Sequence, residues 1–155
     1  MFKPKALSVD ELDAMVREIS YPKLLDWFIV NVVRPGRHAE ELRPGWQDGH
    51  DLIGRAGWSL TTDRVVKSPD GLDLPALLDQ IEREMKPASA HKQWAMNHCL
   101  AEIGIHHPEH RDRAIAIGER LAVLIDYPAS PGCTPPYAPL WIAEMVRRRE
   151  EARAR

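Results

Sequence analysis

Residues 89–105, SAHKQWAMNHCLAEIGI, decide the fold. Met96, Cys99, Leu100 and Ile103 stand at i, i+3, i+4 and i+7, the spacing that puts four side chains on one stripe of an α-helix. At about 100° per residue, His91, Trp94, His98 and Ala101 fall on the opposite side. Met96 and its stripe face a core, yet Trp94 and His98 on the other side also need a neighbour, either another helix pair or a ligand. A helix that carries two such faces is a helix packed between neighbours.

Outward from this segment the same period recurs. Ser8 and Glu11 form a capping-box pattern ahead of Leu12, Met15, Val16 and Ile19, which predicts a helix over 8–19. Pro22 opens a second helix that ends at Arg34-Pro35-Gly36. A short helix over 38–47 is weakened by Pro44-Gly45, and a longer one is expected over 50–66. The turn Ser68-Pro69-Asp70-Gly71 precedes helices over 72–85 and 89–105, divided at Lys86-Pro87. Pro108 opens a helix to about 124. The stretch from Asp126 through Pro139 holds five prolines and one glycine and makes a stiff loop, and the last helix covers 139–152. No alternating Val/Ile/Thr run and no Asn-Gly hairpin signals a strand. The pattern predicts an all-α chain of eight helices in four antiparallel pairs, a HEAT-like helical-repeat stack (an α-α superhelix), with a plain helical bundle as the alternative.

Composition fits one domain over residues 1–155: 44% hydrophobic, 28% charged, and long enough to bury a core. A net charge of −2 gives no overall attraction to nucleic acid, so a polyanion site would be a local patch. Two cysteines, Cys99 and Cys133, are too few for a secreted disulfide framework. No apolar run approaches a membrane span and the start, MFKPKALSVDEL, has no signal-peptide core, so a cytoplasmic location with no membrane partner is expected.

Three helices carry more than packing residues. In 22–33 only Lys23, Asp26 and Asn31 are polar, and Asp26 sits beside Val30 and Val33 at the edge of the apolar belt. A carboxylate there is partly desolvated, and it either caps a neighbour, pairs with Lys23, or serves a site. In 50–66, Leu52, Ile53, Ala56 and Leu60 make the buried stripe, while Arg55, Ser59 and Thr62 share another face. That face reads as a phosphate cradle or as a solvated surface. On 89–105, Trp94 and His98 read as packing against the next repeat or as an aromatic surface for bases and sugars. His106, His107 and His110 straddle a helix break at spacings that match no zinc site, and solvated histidines are expected there. No Gly-rich phosphate loop, nucleophile elbow or HExxH motif is present, so neither a metal nor a small-molecule cofactor is expected. The arginines of the tail, Arg147, Arg148, Arg149, Arg153 and Arg155, read as a solvated helix end.

Taken in order, ELDAMVREI–SYPKLLD, IGRAGWSL around Arg55, QWAMNHCLAEIG, the helix after Pro108 and DYPASPGCTPPYAPLWI resemble the bacterial DNA alkylation repair proteins of the AlkD-like HEAT family, from Pro4 to the last helix. The resemblance implies a helical stack that grips double-stranded DNA by its backbone without reading sequence. It also implies DNA glycosylase activity, the hydrolytic release of N3- or N7-alkylated purines. Asp26 matches the family's acidic residue that stabilises the oxocarbenium sugar or positions water. Arg55 matches the arginine that holds backbone phosphate, and Ser59, Trp94 and His98 join it as the expected DNA-binding residues. Three positions depart from the family: Pro22 and His98 stand where tryptophans flank the lesion, and Ala101 stands where an arginine binds phosphate. The resemblance further implies additional helix pairs ahead of residue 1. A non-catalytic protein-interaction scaffold is the alternative function.

Overall fold

The computed structural model describes residues 6–155, so the first residues of the resemblance, from Pro4, lie outside the described part. Among the described residues the chain forms eight α-helices and no strand. They are α1 (Val9–Glu18), α2 (Pro22–Phe28, continued by a π-helical turn Ile29–Val33), α3 (Ala39–Gln47), α4 (Asp51–Lys67), α5 (Leu74–Glu84), α6 (Ala90–His106), α7 (Pro108–Leu121) and α8 (Ala138–Arg153).

Local chemistry sets the boundaries. The Ser8 hydroxyl accepts the Glu11 amide at 3.1 Å and donates to the Glu11 carboxylate at 3.0 Å, capping α1. Pro22 occupies the first turn of α2, where a missing N–H costs nothing. Asp73 caps α5 by accepting from the Ala76 amide at 2.9 Å. Helix α3 passes through Pro44 intact. Helix α7 stops at Leu121, short of the expected residue 124, because Ala122 turns left-handed (φ 53°) and its amide donates back to the Gly118 carbonyl.

The chain forms two compact units. The first comprises the residues through Arg64 with Ala88–Met96, and the second Val65–Pro87 with Asn97–Arg155. In the first unit Leu12, Val16, Leu25, Phe28, Ile29, Leu42, Trp46 and Leu60 are among the buried side chains of one apolar cluster. In the second, Leu78, Ile81, Leu100, Ile103, Ile117 and Ile142 are fully or almost fully buried.

Side-chain contacts show the direction of packing. Along α3 from Gln47 through Arg43 to Glu40, the partners on α4 are Gly57 and Thr61, then Thr61, then Arg64, so these two helices run antiparallel. Helices α2 and α4 run parallel: Asp26 pairs with Arg55 and, just past the π turn, Arg34 pairs with Asp63 at 3.2 Å, both 29 residues apart. In the second unit Arg113 of α7 meets Asp79 of α5, and Arg120 meets Glu82 at 2.6 Å, again parallel. Helices α6 and α8 follow suit, with His98 against Trp141 and the Ile105 carbonyl accepting from Arg149 at 3.3 Å. Equivalent helices of successive hairpins lie parallel while partners within a hairpin are antiparallel. That is the packing of stacked repeats, whereas neighbours in an up-down bundle alternate in direction.

Met96, Cys99, Leu100 and Ile103 are all fully buried. Ala101, assigned by period to the opposite face, is fully buried as well, because α6 is packed on both sides. Of the tail arginines, Arg147, Arg148, Arg153 and Arg155 are exposed, as expected, with Arg147 and Arg148 paired to Glu144; Arg149 departs from this, being partly covered and donating to the Ile105 carbonyl near the end of α6. His106, His107 and His110 are also largely covered rather than solvated, and His107 Nε2 lies 3.0 Å from the Val65 carbonyl.

Candidate nucleic-acid interface

Helix α2 buries Leu25, Phe28, Ile29, Val32 and Val33 on one side, which leaves Asp26 at the border of that face. Its partner is neither Lys23 nor a helix end. Arg55 of α4 donates from Nε to Asp26 Oδ1 at 2.9 Å and from Nη2 to Oδ2 at 2.7 Å, a two-pronged contact that fixes both planes. The Arg55 side chain is 14% exposed and that of Asp26 45%, so the arginine lies beneath and the acid is the more open partner. A carboxylate has about four lone-pair sites, and the fork takes two of them. The remaining two are held in a fixed orientation, available to a positive charge that develops above them.

The backbone beside Asp26 is unusual. Ile29–Val33 is π-helical, with the Arg34 amide donating to the Ile29 carbonyl at 2.8 Å. Widening a helix redirects carbonyls, and Asn31 Nδ2 donates to the Trp27 carbonyl at 2.8 Å. Such turns recur at functional sites in helical proteins.

The expected phosphate cradle on α4 is only partly there. Ser59 stands one turn from Arg55 and is partly exposed. Thr62 is buried, and its hydroxyl donates to the Trp58 carbonyl of its own helix at 2.8 Å, so it is withdrawn from the surface. Trp94 belongs to the first unit with Asp26, Arg55 and Ser59, and is partly buried.

His98 belongs to the second unit. Its Nε2 lies 3.4 Å from Glu102 Oε1, and its ring lies 4.9 Å from that of Trp141, tilted by 37°. Glu102 is also held by His106 Nε2 at 2.9 Å. Burial opposes ionisation of Glu102, but its contacts with His98 and His106 outweigh this and keep its carboxyl below the usual range. Burial, together with nearby Arg149, presses His106 below its ordinary value. His98, Glu102 and His106 recur at i, i+4 and i+8, a spacing visible in the sequence; the Trp141 contact is not.

The chain matches a solved structure described as a protein of a new family related to the HEAT-like repeat DNA glycosylases with affinity for branched DNA structures, with a TM-score of 0.76 at 18% identity. The match covers 95% of this chain and 65% of that one, so the present chain spans about two-thirds of its length. At this identity the likeness shows the fold, a HEAT-like helical repeat. No curated protein matches the sequence. The family model of the DNA alkylation repair enzymes matches residues 1–142, and the chain belongs to that family.

Proposed function

We propose that the chain is a DNA-binding protein of alkylation repair that holds duplex DNA by its phosphates, indifferent to sequence, with Arg55, Ser59, Trp94 and His98 among its contacts and Asp26 as its catalytic carboxylate. The observation that carries this reading is the Asp26–Arg55 fork: an acid held outward by an arginine beneath it. In glycosidic cleavage of a cationic N3- or N7-alkylpurine, the C1′–N bond breaks and its electron pair leaves with the base, neutralising it. The sugar becomes an oxocarbenium ion, and water adds to C1′ with loss of a proton. A fixed carboxylate stabilises that cation only where it is held against the sugar, and a misplacement of about 1 Å can cost about 100-fold. With Pro22, His98 and Ala101 at the three departed positions, this chain by itself binds weakly and releases little base.

The test is fluorescence anisotropy on labelled duplexes across a salt series, beside release of 7-methylguanine from alkylated duplex. Binding should fall steeply with salt, since phosphate contacts act by counterion release. Arg55→Ala should weaken binding equally on all sequences, while Asp26→Asn should leave it intact or slightly tighter. Robust release that vanishes in Asp26→Asn would make the chain a working glycosylase and refute the claim of low activity. Salt-independent binding, or none at any salt, would overturn the DNA reading. A protein-interaction scaffold would then be favoured, and the exposed apolar residues Tyr21, Leu24, Trp27 and Val30 along α2 speak for it.

A further inference from the structure

Four large apolar side chains stand open along one short stretch of chain: Tyr21 at 57%, Leu24 at 50%, Trp27 at 57% and Val30 at 38%. They follow one another at steps of three, from the N-cap of α2 into the π turn, so each neighbours the next on the helix surface. The covered side of α2 is already filled by Leu25, Phe28, Ile29, Val32 and Val33, which makes this ridge surplus to the core. A repeat with an uncovered outer face needs that face polar to stay soluble. Helix α8 obeys this, exposing Arg147, Arg148, Glu150 and Glu151, whereas α2 exposes mostly apolar surface. A Tyr or Trp buries about 150–250 Å² when fully covered, so the open parts of the four side chains amount to about 400 Å². A stable homodimer takes about 800 Å² from each partner, about 65% of it apolar. The ridge supplies most of that apolar share.

We infer that the open side of α2 is a self-association surface, on which a second copy of this chain docks across a two-fold axis. Leu24 and Trp27 are three residues apart on the ridge. With the axis level with the midpoint between them, antiparallel pairing sets Leu24 of each copy against Trp27 of the other. Such an isologous contact closes on itself at two copies. Charge suits the same arrangement. Lys23 and Asp26 lie along one edge of the ridge, and the axis brings each lysine toward the other copy's aspartate, where two lone-pair sites remain open. The inference stands independently of the DNA-binding reading, since no DNA contact enters it.

The experiment is sedimentation equilibrium without DNA, on the full chain carrying Cys133→Ser to remove its exposed thiol. Between about 1 and 100 µM the chain should pass from monomer to dimer with a Kd of about 10 µM, as suits an interface at the small end of the stable range. Leu24→Glu and Trp27→Glu should each raise Kd at least about thirtyfold, because a carboxylate then enters the centre of an apolar contact. Leu140→Glu replaces a leucine that is equally open, at 53%, but lies on α8, and should leave Kd within about twofold. All three positions face solvent in the monomer, and circular-dichroism melts check that each variant is folded. As a second measurement, Leu24→Cys and Trp27→Cys chains are mixed and oxidised. Leu24→Cys should cross-link to Trp27→Cys faster than either links to itself. A monomer at every concentration overturns the inference, and the ridge then faces another kind of partner. A dimer that responds to Leu140→Glu but not to Leu24→Glu overturns it too, as does faster linking of each cysteine variant to itself.

Discussion

The Asp26–Arg55 fork should be asymmetric in stability, with removal of the more exposed partner doing the greater damage. Asp26→Ala leaves Arg55 with a charge that water reaches poorly, since only 14% of its side chain is open. Breaking a fully buried pair costs about 3–5 kcal/mol. Because the acid side of this pair is half open, about 2 kcal/mol is the appropriate scale. Arg55→Met keeps the aliphatic stem and removes the charge. The stranded Asp26 is 45% exposed and simply rehydrates, at a cost of at most about 1 kcal/mol. For a chain of this length each kcal/mol shifts Tm by about 2–4 °C. Asp26→Ala should therefore lower Tm by about 4–8 °C and Arg55→Met by no more than about 4 °C. The double variant should melt close to Arg55→Met, because the stranded cation is gone. The assay is thermal unfolding by circular dichroism at pH 7, repeated in high salt, where the difference should shrink only a little because the guanidinium is mostly covered. A larger loss for Arg55→Met than for Asp26→Ala, or strictly additive losses, would refute the view that the arginine lies beneath the acid.

Three further substitutions address the scaffold of the same unit. At Gly57 a Cβ would overlap the backbone of Gln47 and Trp46, so Gly57→Ala should cost about 1–3 kcal/mol despite a gain of about 1 kcal/mol in helix propensity. At Gly45 a Cβ meets nothing within 4 Å, so Gly45→Ala in α3 should raise Tm; the two alanines moving Tm in the same direction would contradict the α3–α4 approach. Hydrogen bonding from Arg43, against an opposing effect of burial and with help from Arg64, holds the Glu40 carboxyl down to about 2 from 4.5. A carboxyl depressed on folding contributes stability above its ordinary value, and this is lost as pH falls from 4.5 toward 2. The side chain is half exposed, so screening leaves about 1 kcal/mol, and Glu40→Gln should flatten the acid limb of urea-unfolding stability over that window.

The helices were legible because their signals are local. Ser8 with Glu11, Pro22, Pro108 and the proline-rich stretch before α8 each fix a boundary through the chemistry of neighbouring residues, and the period of Met96 to Ile103 identified a buried face correctly. Period alone failed where a second neighbour covers the other face. It grouped Thr62 with Arg55 and Ser59, and Ala101 with His98, although both Thr62 and Ala101 are buried. A helical wheel records direction and cannot record what lies there. The π turn at Ile29–Val33 escaped for a related reason: it is a choice of hydrogen-bond register, and IVNVV is as compatible with one register as with the other.

The candidate site has a different legibility. Asp26 and Arg55 were joined by resemblance to a family; their separation of 29 residues carries no signal of contact by itself. What makes it intelligible afterwards is Arg34–Asp63, which repeats the same separation eight residues further along both helices. Two parallel helices bring the residues of their facing sides together again about two turns further along at a similar offset, here the same one, so one correctly placed pair points to the next. The same geometry brings Trp141 to His98, since α6 and α8 are also parallel neighbours. In a stack of repeats, equivalent helices of neighbouring repeats bring together residues that are never close in sequence. The His98–Trp141 ring contact is such a pair, 43 residues apart in sequence and 4.9 Å apart in the fold.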